Sequence, residues 1–153
     1  MVNVEKLQSL MLLIAGHPDV KGLGLTKLWK LIYFCDVRAL REEGESITGS
    51  EFIKYKHGPV PSRGEKNLKL LRRQGRIETE QKSVGGYVQT SVTPLASPDL
   101  SLFTKRERAI VTDVCRELGG LSAKRLSEIS HEEPAWALAS ELDKLDEEGS
   151  PPS

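Results

Sequence analysis

Residues 26–43 constrain this chain more than any other stretch. On a helical wheel Leu28, Leu31, Ile32, Cys35 and Ala39 line one stripe, and Trp29, Tyr33 and Leu40 widen it. Lys27, Lys30, Arg38 and Arg41 take what remains. An apolar arc this broad needs cover from several sides, so the fold must be built around this helix. Thr26 is placed to cap its start and Gly44 to end it. Two residues break the pattern. Asp36 falls inside the apolar arc, where an unpaired carboxylate is costly. It therefore either reaches water at a boundary or has a buried partner such as Tyr55, His57 or an arginine, and a structural hydrogen bond is favoured over a catalytic role. Phe34 falls on the basic face, where an exposed aromatic is either incidental or an interface anchor.

Shorter elements flank this helix. Asn3 to Ala15 reads as a first helix, with Leu7, Leu10, Met11 and Ile14 at helical spacing and Gly16-His17-Pro18 as its stop. Past Gly44, an extended run over 51–55 feeds a stiff Gly58-Pro59-Val60-Pro61 turn. Ser62 and Glu65 have capping-box spacing at the head of a helix to about Gln74. There Leu68 and Leu71 point one way, with Lys66, Lys69, Arg73 and Arg76 opposite. Two short strands, 76–81 and 87–92, follow around a Gly85-Gly86 turn. Thr104 and Glu107 form a second capping box, opening a helix to Leu118. Ser122 caps a shorter helix through Ile129, and Pro134 fits the first turn of a last one bearing Trp136. The expected architecture is α+β and predominantly helical, with about six helices and a small β-hairpin. Residues 1–146 form one domain, and 147–153 read as a disordered tail.

Composition narrows the function classes. With 38% hydrophobic and 29% charged residues in 153, the chain is an ordinary globular one. No apolar run is long enough to span a bilayer, and no signal peptide opens the sequence, so a cytoplasmic protein without a membrane partner is expected. Cys35 and Cys115 sit far apart within helical patterns and read as core residues, not a disulfide. The three histidines form no spaced pair with cysteine or a second histidine, so no metal is expected. No phosphate loop, cofactor motif or nucleophile motif is present, so catalysis is not expected. His131 reads as a cap or turn residue leading into Pro134. Charge is uneven: 14 basic against 8 acidic residues over 1–76, and the reverse ratio, 8 against 14, over 77–153. Such asymmetry suits a charged partner or a homodimer. The basic helix at 62–76 is either a solvated face or a contact for phosphates or an acidic protein.

Three motifs in order carry a resemblance to a known family. They are Lys27-Leu28-x-Lys30-Leu31-Ile32-Tyr33-Phe34, then Tyr55-x-His57-Gly58-Pro59-Val60, then Leu126-Ser127-Glu128-Ile129-Ser130-His131-Glu132-x-Pro134-x-Trp136. Together they resemble the Panacea domain, also called the SocA-like antitoxin domain and formerly a phage-associated family, over roughly residues 5–140. The family commonly has an aromatic residue where this chain has His57. The resemblance implies an antitoxin that binds and neutralises a cognate toxin without catalysis or cofactors. It implies fold-defining roles for the motif positions, Gly58 and Pro59 shaping the loop and His131 and Trp136 locking the last helix. Contact candidates are Phe34, Lys30 and Arg38 on the central helix and Lys66, Lys69 and Arg73 on the basic one. The alternatives are a winged-helix-like DNA-binding regulator using 62–74 and the following hairpin, or an adaptor delivering a toxin to a protease.

Overall fold

The computed structural model describes residues 2–55 and 58–132. Among these it contains five α-helices, one short 3-10 helix (Leu100–Leu102) and two antiparallel two-stranded sheets, a mostly helical α+β fold. The expected helix around Pro134 and Trp136, the tail at 147–153 and His57 lie outside the described residues.

α2 (Leu25–Glu43) is the axis, as its wheel demands, and α1 (Val4–Ala15), α4 (Lys105–Leu118) and α5 (Ala123–Glu132) all pack on it. Enclosure is nearly complete: every residue from Lys27 to Val37 is buried. This corrects the expected solvent-facing basic side of the helix. Lys27, Lys30 and Phe34 are 4%, 3% and 7% exposed. The wheel assigned those positions to water because they are charged or isolated, whereas the remaining elements close over that side as well. Lys27 Nζ donates to the carbonyl of Lys21 at 2.5 Å, and burial lowers the pKa of Lys27 and of Lys30. Phe34 meets the Tyr33 ring edge-on at 5.7 Å between centroids, and Tyr33 meets Phe52 at 5.4 Å.

The helix also starts differently from expectation. Gly24, not Thr26, is its N-cap, because the preceding residues join a strand: Val92 N donates to Leu23 O at 3.0 Å, and Gly24 bridges to Ser91. α1 begins as expected at Asn3, whose side chain accepts from Lys6 N.

Phe52–Tyr55 (β1) and Gly58–Pro61 (β2) form a hairpin, so Gly58-Pro59-Val60-Pro61 is a strand and not a turn. Two prolines fit there because of register. Ser62 N donates to Glu51 O at 2.8 Å, which fixes the alternation so that Val60 and Gly58 face β1. The nitrogens of Pro59 and Pro61 then point away from the ladder, and no hydrogen bond is lost.

α3 (Gly64–Arg73) follows, one residue later than the Ser62 capping box predicted, and Arg63 caps it without a side-chain bond. The Ser62 amide is already engaged by the hairpin. A Cβ on Gly64 would stand 2.9 Å from the Trp29 ring, so the helix begins where its backbone rests on that indole. β3 (Ile77–Val84) and β4 (Tyr87–Pro94) form the expected hairpin around Gly85-Gly86, each strand longer than predicted. The Thr104–Glu107 capping box forms in both directions, at 3.0 and 2.9 Å, and Glu107 also accepts from Lys6 Nζ at 2.7 Å. Ser122 accepts from Arg125 N at 3.1 Å, opening α5. Cys35 and Cys115 are buried free thiols, and burial pushes the latter up to about 12, so both stay protonated.

Candidate partner-binding surface

Asp36 sits in the middle of α2, 2% exposed, and its carboxylate faces the loop that follows the helix. One oxygen accepts from the amides of Ile47 and Thr48 at 2.9 and 3.0 Å, and the other from the Thr48 hydroxyl at 2.5 Å. These are the partners that the sequence sought in Tyr55, His57 or an arginine. Ser50 lies 2.7 Å from the Thr48 hydroxyl oxygen, and Thr48 O accepts from Asn3 N at 2.8 Å. The carboxylate thus ties the 46–50 loop to α2, and the loop in turn ties down the start of α1. Burial pushes its pKa up to about 6, opposed by the three donors. The geometry is that of an internal brace.

The second motif cluster is also internal. Gly58 has φ 122° and a Cβ there would meet Lys30 Nζ at 2.5 Å, so a side chain is excluded by conformation and by space. Pro59 is buried beside it, and the Tyr55 backbone pairs with Gly58 across the hairpin. Lys30, named as a contact, is therefore packed against β2, and Phe34, the other, is buried against the Tyr33 ring. Arg38 is half-buried and forms a two-pronged pair with Glu117 of α4 at 2.9 and 3.3 Å, which raises its pKa. His131 lies in the last turn of α5.

Exposed candidates remain in two places. On α3, Gly64, Asn67, Leu68 and Leu71 face inward, while Lys66, Lys69, Arg72 and Arg73 are exposed. This matches the amphipathic spacing read from the sequence. Asn67 locks the inner face, donating to Arg63 O and accepting from Gln8 Nε2, both at 2.8 Å. The second place was not anticipated. At the end of the β3–β4 arm, Tyr87 and Val88 are 63% and 64% exposed. Only Leu95 and Leu100 join them as exposed large hydrophobics among the described residues. The sequence shows two apolar residues directly after a Gly-Gly turn, but only the strand pairing shows that nothing covers them.

The described residues hold no group of three or more metal-ligating side chains, and no helix is long and apolar enough to cross a membrane. No curated protein and no solved structure matches the chain. Residues 28–137 do match a family, the antitoxin SocA-like Panacea domain. The matched span starts within α2 and takes in β1 through α5, which is to say the axis and nearly everything packed on it. The protein belongs to the SocA-like antitoxin, Panacea domain family.

Proposed function

We propose that this chain neutralises a partner toxin by direct protein–protein binding, without catalysis, and that the β3–β4 arm makes the principal contact. The family supports the antitoxin role. The observation that carries the surface is the exposure of Tyr87 and Val88 together at the end of a projecting hairpin. Protein interfaces draw most of their energy from a few desolvated aromatic or aliphatic anchors, with Tyr prominent among them. Lys30 and Phe34 cannot serve without opening the core, and Arg38 is already paired. In the outer part of the hairpin, residues 80–83, 87 and 88 are exposed, so a partner can cover them without displacing internal packing.

Neutralisation then follows from occlusion: a toxin whose active or target-binding surface receives the arm is sterically blocked. The test is co-expression with the product of the adjacent gene. That product should arrest growth, this chain should relieve the arrest, and Tyr87→Ser with Val88→Ser should abolish relief while leaving the urea midpoint unchanged. Failure of the wild-type chain to relieve the arrest refutes the role for that pair. Relief that survives the double substitution refutes the arm.

A further inference from the structure

We infer that the outer face of α3 binds the phosphate backbone of duplex nucleic acid, through residues other than those of the arm tip. Between Arg63 and Arg76 there are six basic residues and one acidic, Glu65. None of the six has an acidic side chain within ion-pair distance among the described residues. Five cations elsewhere have a carboxylate partner: Lys6 with Glu107, Arg38 with Glu117, Lys82 with Glu80, Arg106 with Glu43 and Arg125 with Glu128. The cations without one are scattered over the other elements but dense at α3, where six stand within fourteen residues against a single carboxylate. Lys66, Lys69 and Arg73 fall within about 60° of one another on the wheel, opposite the buried face.

Charge complementarity requires an anionic occupant, and the side chains decide which kind. The exposed residues of α3 are Glu65, Lys66, Lys69, Arg72 and Arg73, with no aromatic or aliphatic anchor among them. An acidic protein docking here would have no apolar centre, and lysine is depleted at such interfaces. Phosphates need only point charges and guanidinium forks. A ten-residue helix is about 15 Å long and so runs beside roughly four base-pair steps of a duplex. A single strand is disfavoured because no aromatic side chain interleaves with the cations. Contacts of this kind position a protein on DNA without reading its sequence. This inference rests on charge and geometry and does not depend on the antitoxin reading.

The experiment is fluorescence anisotropy with the full chain alone and a labelled, mixed-sequence duplex of about 20 base pairs. If the six cations make six contacts, affinity should fall roughly a thousandfold between about 50 and 200 mM salt. Replacing Lys66, Lys69 and Arg73 together by Gln should cut affinity at least about tenfold at the lower salt and lower the log–log salt slope by about three. These positions are exposed, and an unchanged urea midpoint confirms that the fold is intact. Absence of binding by the wild-type chain at the lower salt overturns the inference. So does a triple variant that binds as well as wild type. A triple variant that keeps its duplex affinity but no longer relieves toxin arrest assigns the face to an acidic protein instead and equally overturns it.

Discussion

Removing the Asp36 carboxylate tests the internal brace most directly, through two substitutions and pH. Asp36→Ala deprives the Ile47 amide, the Thr48 amide and the Thr48 hydroxyl of their acceptor in a buried site. The hydroxyl can turn toward Ser50 Oγ, 2.7 Å away, so two amides are left orphaned. At about 1–3 kcal/mol for each orphaned group the loss is roughly 2–6 kcal/mol. Asp36→Asn keeps one oxygen for both amides and presents its NH2 to a hydroxyl that can rotate to accept, so its cost near neutral pH is about 1 kcal/mol or less. The pH dependence gives a second handle. Burial pushes the folded carboxyl up to about 6 from the 3.8 ordinary for an aspartate. A carboxyl raised on folding contributes stability that is fully present below about 4 and is lost as pH rises through about 6, because the folded state holds the proton more tightly. Two pKa units correspond to about 3 kcal/mol. Urea unfolding followed by tryptophan fluorescence at several pH values measures both effects. The stability of wild type relative to Asp36→Asn should decline between about pH 4 and 7 and then level off. A difference that grows with pH would mean that the three donors outweigh burial, and the reasoning would be wrong. An Asp36→Ala variant as stable as wild type would refute the brace itself.

Two glycines offer simpler tests of packing. Gly58→Ala forces a side chain into φ 122° and toward Lys30 Nζ, so a loss of about 1–3 kcal/mol is expected in the urea midpoint, and no loss would show that the hairpin relaxes freely. Gly64→Ala pushes a methyl against the Trp29 ring at 2.9 Å and should cost about 1–3 kcal/mol with a shift in tryptophan emission, whereas an unchanged spectrum would refute the contact.

Legibility in the sequence followed the range of the forces. The Thr104–Glu107 box was readable because both bonds run between residues three apart. The Ser62 box had the same spacing and failed, since the Ser62 amide is claimed by the Glu51 carbonyl, just before a strand whose pairing local spacing does not reveal. The wheel correctly made α2 the axis but ran its solvent side too far toward the N-terminus, where Lys27 and Lys30 are buried while Arg41 is exposed, because periodicity counts apolar positions and cannot see Lys21 O or β2 closing over lysines. Asp36 was flagged as anomalous for the right reason, a carboxylate in an apolar arc. Its partners are backbone amides in the 46–50 loop, and amides carry no residue-type signal. Of the surface, α3 could be read from spacing, while the arm tip needed the strand pairing to show that nothing covers Tyr87 and Val88.

The long reach of the Lys6–Glu107 pair also bears on how the protein is made. Its two residues are 101 positions apart, so the helix that carries Lys6 leaves the ribosome well before the one that carries Glu107. At typical elongation rates those positions take roughly 5–20 s to synthesise. Throughout that interval Leu7, Leu10, Met11 and Ile14, all fully buried in the finished fold, lack the last of the helices that enclose the core. The newly made chain therefore passes through a period of seconds in which its core is incompletely closed, open to chaperones and proteases before the finished fold can meet any partner.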